Sequence, residues 1–527
     1  PKAGPVDRAA ASRIEADVRY LADDALEGRE AGTRGFDMAA AYVARRYQEI
    51  GLEPAGDAGT WFQQVPLLKA TREQDGARLQ IDRRGRSTSL RFGEQFLPAL
   101  NYNAASHSLT APAVFVGQGV HAPALKHDDF AGVELEGKIA VVLGGAPERF
   151  DNDRRAFHSS WHEKQRELVQ RGAVGVVFVS TDADERRSPW ARSSAGWQKQ
   201  GMRLRGDDGK GIDTWPQLQA GASVPAAAAQ LIFDGARHTA REVFAQAEAG
   251  TLEPFDLPGT ITLAGRTRID PAQSRNVVGK FPGSGGVARG EHIVYSAHLD
   301  HVGIGAPVKG DDIYNGALDN ALGVSIMLEA AHQLVTAGVA PQRSMLFVAL
   351  TAEEKGLLGA EWFVARPPVP GQSLVANINL DMPVMLAPSR DVVPIGIDHS
   401  TLQTAVETAA AELGLDLSPD PFPEEVVFVR SDQYAFIRAG IPAVYLDGGV
   451  VGLRGGADPK AAMRAFLRNC YHQPCDDVSQ PIQYGDAAQM AKLNARIGRL
   501  VGDEAARPRW NDGDFFGETF APGFSAP

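Results

Sequence analysis

From residue 263 onward the chain alternates short apolar runs with amphipathic stretches, and no other feature restricts its fold as strongly. HIVYSA, MLFVALT, ANINLD and AVYLDG have the length and apolar content of buried strands. NALGVSIMLEAAHQLVTAG, LLGAEWFVAR, TLQTAVETAAAELG and AAQMAKLNARIGRLVGD carry apolar residues at helical spacing. Strand and helix in regular succession predict an α/β fold: a mostly parallel mixed sheet flanked by helices on both faces.

The rest of the chain has other textures. SRIEADVRYLADDAL and FDMAAAYVARRYQEIGL read as helices, with Gly51 a stop for the second. Residues 61–107 read as short strands, for example ARLQIDRRG and STSLRF. From about 108, Val-rich runs such as GKIAVVLGG and AVGVVFVS surround the helical HEKQRELVQRG. Residues 184–220, polar and rich in Arg and Gly, read as a long surface loop. With 527 residues the chain is too long for one ordinary core. The expected division is 1–107 with 263–507 as the main domain, 108–262 as an inserted β-rich domain, and 508–527 as an irregular tail.

The formal charge of −12 disfavours partners that need a broad basic face, so neither nucleic acid nor an anionic membrane surface is expected. No apolar run approaches the ~18 residues of a membrane span. No signal peptide is read, and a start at Pro1 without an initiator Met is expected of a processed or trimmed chain. Cys470 and Cys475, in CYHQPC, are the two cysteines. They can be free thiols, half of a metal site or a small disulfide loop, and no further Cys exists to complete a thiolate site. A disulfide would place the protein outside the reducing cytoplasm.

Sites in open parallel sheets form at the carboxyl ends of strands, and the polar residues fall there. His298 and Asp300 end HIVYSA, Glu353 and Glu354 follow MLFVALT, and Asp381 ends ANINL. Asp319 opens a helix after a Gly-containing loop, and His472 lies between the cysteines. Each has an ordinary reading alone: a structural His, a helix cap, a turn residue. Jointly they are harder to dismiss, because clustered carboxylates repel unless cations sit among them. Two His, two Asp and one Glu suit Zn²⁺. With Asp319 bridging, each of two ions has three protein ligands and an open position, and Glu353 is spare to act as a base.

Other residues read as structural. His301, Asp311 and Asp312 are expected to be loop or outer residues of the site, and His332 and His399 ordinary surface or helix histidines. Asp432 is a candidate substrate anchor set against a structural turn. Ser431 lacks the context of a nucleophile, and GSGG at 283–286 is a turn, not a phosphate loop.

SAHLDHVG, NGALDNALGV, LTAEEKGLLGAEWF, NINLDM, SDQYAFIRAGIPAV and CYHQPCDD together resemble the M28 family of zinc-dependent aminopeptidases. The resemblance is to secreted members with an inserted protease-associated (PA) domain, matched here by VFVGQGVHAPALKHDDFAGVELEGKIAVVLGG. The opening RYLADDALEGREAGTRG also resembles the N-terminal region of such enzymes. It implies a zinc-peptidase fold with its catalytic domain over 263–507, holding two Zn²⁺. His298 and Asp381 are expected on one ion, Glu354 and His472 on the other, with Asp319 between them. Glu353 is implied as general base to a two-zinc-bridged water, Asp300 as the acid orienting the ligating imidazole, and Tyr471 as a phenol polarising the scissile carbonyl. The cysteines flanking His472 resemble the small disulfide loop of certain secreted members. The expected activity is removal of residues from peptides with a free N-terminus, in a secreted or periplasmic protein. The rival activities are a carboxypeptidase, for which Arg430 or Arg454 would supply the cationic pocket, an aminoacyl cyclase, and a metal-free receptor-like binding protein.

Overall fold

The computed structural model describes residues 7–288 and 290–522, so Pro1 and the last five residues of the expected tail lie outside the described residues. The described chain forms two compact units, one of residues up to Val65 together with those from Gln273, the other Pro66–Ala272. The second unit extends beyond 108–262 at both ends.

In the first unit the strand His292–His298 is central, parallel to Ser344–Leu350 on one side and to Leu374–Asn379 on the other. Ala443–Asp447 follows in parallel, and Asp391–Ile395 adds to it antiparallel. On the opposite flank, residues 277–281 run antiparallel to 345–349. This is the mostly parallel mixed sheet that the alternation predicts. Because successive strand residues point to opposite faces, Ile293, Tyr295 and Ala297 meet helices Arg8–Leu21, Arg34–Ile50, Gly323–Thr336 and Tyr484–Asp503. Val294, Leu346 and Val348 meet Leu358–Ala365 and Gln433–Arg438 on the other face. Each fully enclosed side chain of this size adds about 1.5–3 kcal/mol. Gly51 ends its helix as expected, at φ 95° in the left-handed region where a side chain would be strained.

The second unit has a sheet of its own. Ser106–Phe115, Ile139–Leu143, Gly175–Val179 and Ala220–Val224 are parallel in that order. Residues 255–266 flank Ser106–Phe115 and Leu97–Pro98 flanks Ala220–Val224, both antiparallel. Helices Ala229–Phe233 and Ala240–Ala249 share one apolar cluster with it, and Trp161–Gln170 another.

Two expectations are corrected. Residues 184–220 are not a plain loop: they hold most of the helix Asp182–Arg187, the helix Trp190–Ala195 and the strand Gly201–Leu204, which pairs with residues 67–70. The tail is not irregular throughout: Phe515–Phe520 is helical, and Trp510 and Phe516 are buried with Phe428 in one cluster. His399, read as an ordinary surface or helix histidine, ends the 3-10 helix Ile397–His399, stacked on Phe428 and 2.6 Å from Asp514.

Candidate metal centre

Three adjacent parallel strands deliver their ends to one place. His298 is the last residue of its strand, Glu353 and Glu354 follow Leu350 by a short turn, and Asp381 follows Asn379. Asp319 comes from the segment Ala317–Leu322, where it and Asn320 have non-helical dihedrals, so it precedes the helix Gly323–Thr336 and does not cap it. His472 sits at φ 54° inside the loop closed by the Cys470–Cys475 disulfide, whose Cα atoms are 5.2 Å apart.

These side chains meet. His298 Nε2 lies 2.9 Å from Asp381 Oδ1 and 3.3 Å from Asp319 Oδ1. The other oxygen of Asp319, Oδ2, is 3.1 Å from His472 Nε2, which is also 3.1 Å from Glu354 Oε1. Asp319 therefore offers one oxygen to each of two donor groups. Among the described residues these are the groups whose ligand atoms cluster closely enough to hold a metal ion: His298–Asp319–Asp381 and His301–Asp319–Glu354–His472. The five expected ligands are brought together, and His301, read from sequence as an outer residue, joins them.

Neighbouring groups fix the donors. His298 Nδ1 faces the backbone carbonyl of Asp300 at 3.1 Å, so that carbonyl, not the Asp300 carboxylate, meets the imidazole. The carboxylate instead accepts from the backbone N–H groups of Glu353 and Glu354, at 3.1 and 3.3 Å, holding the turn that carries both glutamates. Tyr471 stacks on His472 with ring centroids 4.0 Å apart.

Sequence reasoning missed three supports. Asn320 donates to the carbonyls of His298 and Leu380 and accepts from Met382, tying the Asp319 segment to two strand ends. Asp476 accepts from the backbone N–H groups of Leu318 and Asp319. Arg29, buried, donates to the carbonyls of Leu299, Asn315 and Gly316. Asp476 and Arg29 stand inside the stretches CYHQPCDD and RYLADDALEGREAGTRG, but nothing in their spacing marks the contact. Asp432, the candidate substrate anchor, is wholly buried, and neither carboxyl oxygen has a hydrogen-bond partner.

The electrostatics are those of a cation site. Burial opposes a charged imidazole, yet Asp381, Glu353 and the hydrogen bonds to Asp319 and Asp381 hold His298 well above the ordinary histidine range. His472, likewise against its burial, is raised to about 10 by Glu354 and Asp319. Burial pushes Glu353 well above the usual carboxylate range, helped by Asp381, Glu354 and Asp432. Asp319, despite burial, is held well below that range by His301, His298 and His472. Carboxylates that lose protons beside imidazoles that gain them are answering a local demand for positive charge, which a divalent ion meets while displacing those protons. The donor set, nitrogen and oxygen in two groups sharing one carboxylate, fits Zn²⁺.

Residues 276–497 match the model of peptidase family M28. Leupeptin-inactivating enzyme 1 of Streptomyces exfoliatus is 28% identical over 236 residues, which are 43% of this chain and 48% of that protein. The chain thus spans about half the length of this curated relative. Among solved structures, an aminopeptidase from Aneurinibacillus sp. strain AM-1 superposes with a TM-score of 0.53 at 20% identity, covering 95% of this chain and 98% of that one. At that identity the likeness concerns the fold.

Proposed function

We propose that this chain, whose residues 276–497 match the model of peptidase family M28, is a two-zinc exopeptidase that removes residues from the free N-terminus of peptides. The observation that carries the reading is Asp319, whose two carboxylate oxygens face two separate donor groups. His298, Asp319 and Asp381 would hold one ion, and Asp319, Glu354 and His472 the other. Bound there, zinc would supply Lewis acidity and bring the pKa of water from 15.7 to about 7.

The chain's own residues do the rest. Glu353, outside both donor groups and pushed up by burial and by Asp381 and Glu354, takes a proton from the attacking water at its carboxylate. As the water oxygen bonds to the carbonyl carbon and the C–N bond breaks, Glu353 hands that proton to the leaving amine. Burial raises Tyr471 well above the usual phenol range, so its hydroxyl keeps its proton and donates to the carbonyl oxygen as charge grows there. A substrate's α-ammonium is attracted by the surrounding carboxylates, which favours trimming from the N-terminus. A carboxypeptidase needs a cation free for the terminal carboxylate, whereas Arg430 is paired with Glu425 at 3.0 Å. The disulfide supports a location outside the reducing cytoplasm. The VFVGQGV…VVLGG stretch within 108–262 is the proposed PA insertion.

The test is a panel of aminoacyl reporters and matched free-amine and N-acetylated peptides, with chelator and with zinc restored. Cleavage of free-amine substrates alone, lost with chelator and regained with zinc, is expected. Equal cleavage of N-acetylated peptides would reject N-terminal specificity.

A further inference from the structure

His301 has no assigned work in the reading above, yet its surroundings are built for it. The ring is fully enclosed, Nε2 makes no hydrogen bond, and Nδ1 faces Glu354 Oε1 at 2.8 Å. Leaving a buried polar group without a partner costs about 1–3 kcal/mol, so a well-ordered imidazole in that state needs a counterpart. Its position is fixed from two sides. The His301 backbone N–H donates to the carbonyl of Arg29 at 3.3 Å. Gly316, at φ 62°, leaves the room the ring occupies: a Cβ there would come within 2.6 Å of the imidazole carbons.

The ring's Nδ1 points at the ligands of one ion. It lies 2.8 Å from Glu354 Oε1 and 3.8 Å from Asp319 Oδ2. His472 Nε2 is 3.1 Å from each of the same two oxygens. Around a tetrahedral zinc with bonds of about 2.0–2.2 Å, neighbouring donor atoms stand about 3.4 Å apart. The four distances scatter about that value, and the four donor atoms all lie within 4.8 Å of one another.

We propose that His301 is a direct ligand of the ion held by Asp319, Glu354 and His472, so that the two halves of the centre are unequal. This rests on the two-ion reading above. One half then has four protein donors, against the three of the His298–Asp319–Asp381 half. The half with four donors binds its ion more tightly and gives it up last.

The experiment uses the full chain, stripped of metal and titrated with Zn²⁺ against a competing chelator, with X-ray absorption of the fully loaded protein. Two ions per chain are expected, with about one and a half imidazoles per ion averaged over both. His301→Ala should still take up one ion but hold the other at least ~100-fold more weakly, since losing even an outer partner of a ligand costs 10–100-fold. His301→Asn, which keeps an N–H near the Nδ1 position and can still donate to Glu354, should not restore the affinity. A wild-type average of one imidazole per ion overturns the proposal without reference to any variant. So does wild-type affinity for both ions in His301→Ala, or rescue by Asn, which would make His301 only a hydrogen-bond donor. Wild-type protein that takes up no zinc would instead reject the two-ion reading itself.

Discussion

Each unit of the molecule buries carboxylates and a cation, with histidines beside them, yet the outcomes differ. In the second unit, Asp129 accepts from the backbone N–H groups of Gln118 and Val120 and lies 3.0 Å from His127. Lys164 there donates to the carbonyls of Gln118 and Gly145. The charges of Asp129 and Lys164 are matched to fixed backbone partners, although His127 Nε2 makes no hydrogen bond. In the first unit, donor atoms of His298, His301, Asp319, Glu354, Asp381 and His472 face one another, not the backbone. The difference teaches what separates a ligand site from a polar core: the types of residue are shared, but only the site leaves its acceptors aimed at a common point.

The comparison breaks most sharply under mutation of shared residues. Asp319→Ala should lose zinc from both groups and reduce activity to background, while amide exchange in Gly175–Val179 of the second unit is unchanged. Elemental analysis and hydrogen exchange check this, and wild-type zinc content would remove Asp319 from the ligands. Next comes Glu353→Ala, expected to keep its zinc and its melting temperature while turnover falls by at least ~10²-fold. Full activity in that variant would reject Glu353 as the base.

Acidity separates the units in opposite ways. In the first, the apo protein must release protons from imidazoles such as His472, raised to about 10, before zinc enters. Zinc affinity should therefore fall as pH falls from 9 to 6, with proton release seen by calorimetry in two buffers. In the second, burial lowers Lys164 to about 7, against the pull of Asp129 and Asp184. Between pH 7 and 10 the unfolded chain then binds more protons than the folded one, so stability rises with pH over that window. Lys164→Met should flatten this rise and, by leaving two carbonyls without a donor, cost about 1–3 kcal/mol at pH 10. Hydrogen exchange of the second unit's strands reads both effects.

The smallest effect is expected at the disulfide. Replacing Cys470 and Cys475 with Ser frees a short loop, a loss of no more than about 2 kcal/mol by chain entropy. The sharper signature is weaker binding of the ion that His472 holds, with the other ion unaffected.

The periodic parts of this picture were legible in sequence. Strand and helix periods locate the sheet, and strand ends locate His298, Glu353, Glu354 and Asp381, because the topology obliges parallel strands to end on one side. His301 was not legible, since a lone His beyond a strand end is usually structural and only proximity to Glu354 distinguishes it. Arg29 acts on Leu299, some 270 positions away, a distance over which no spacing rule operates. The tail helix Phe515–Phe520 is less than two turns long, too short to show a period. Asp300 falls just beyond the strand end, but which of its oxygens serves His298 depends on how the turn after Leu350 folds back.

The central claim is that two divalent ions lie among these donors, and anomalous scattering at the zinc edge tests it most directly. Crystals of the zinc-loaded protein should give two peaks, one among His298, Asp319 and Asp381 and one among His301, Asp319, Glu354 and His472. A map with no peak beside Asp319, or with a single ion placed away from it, would contradict the account.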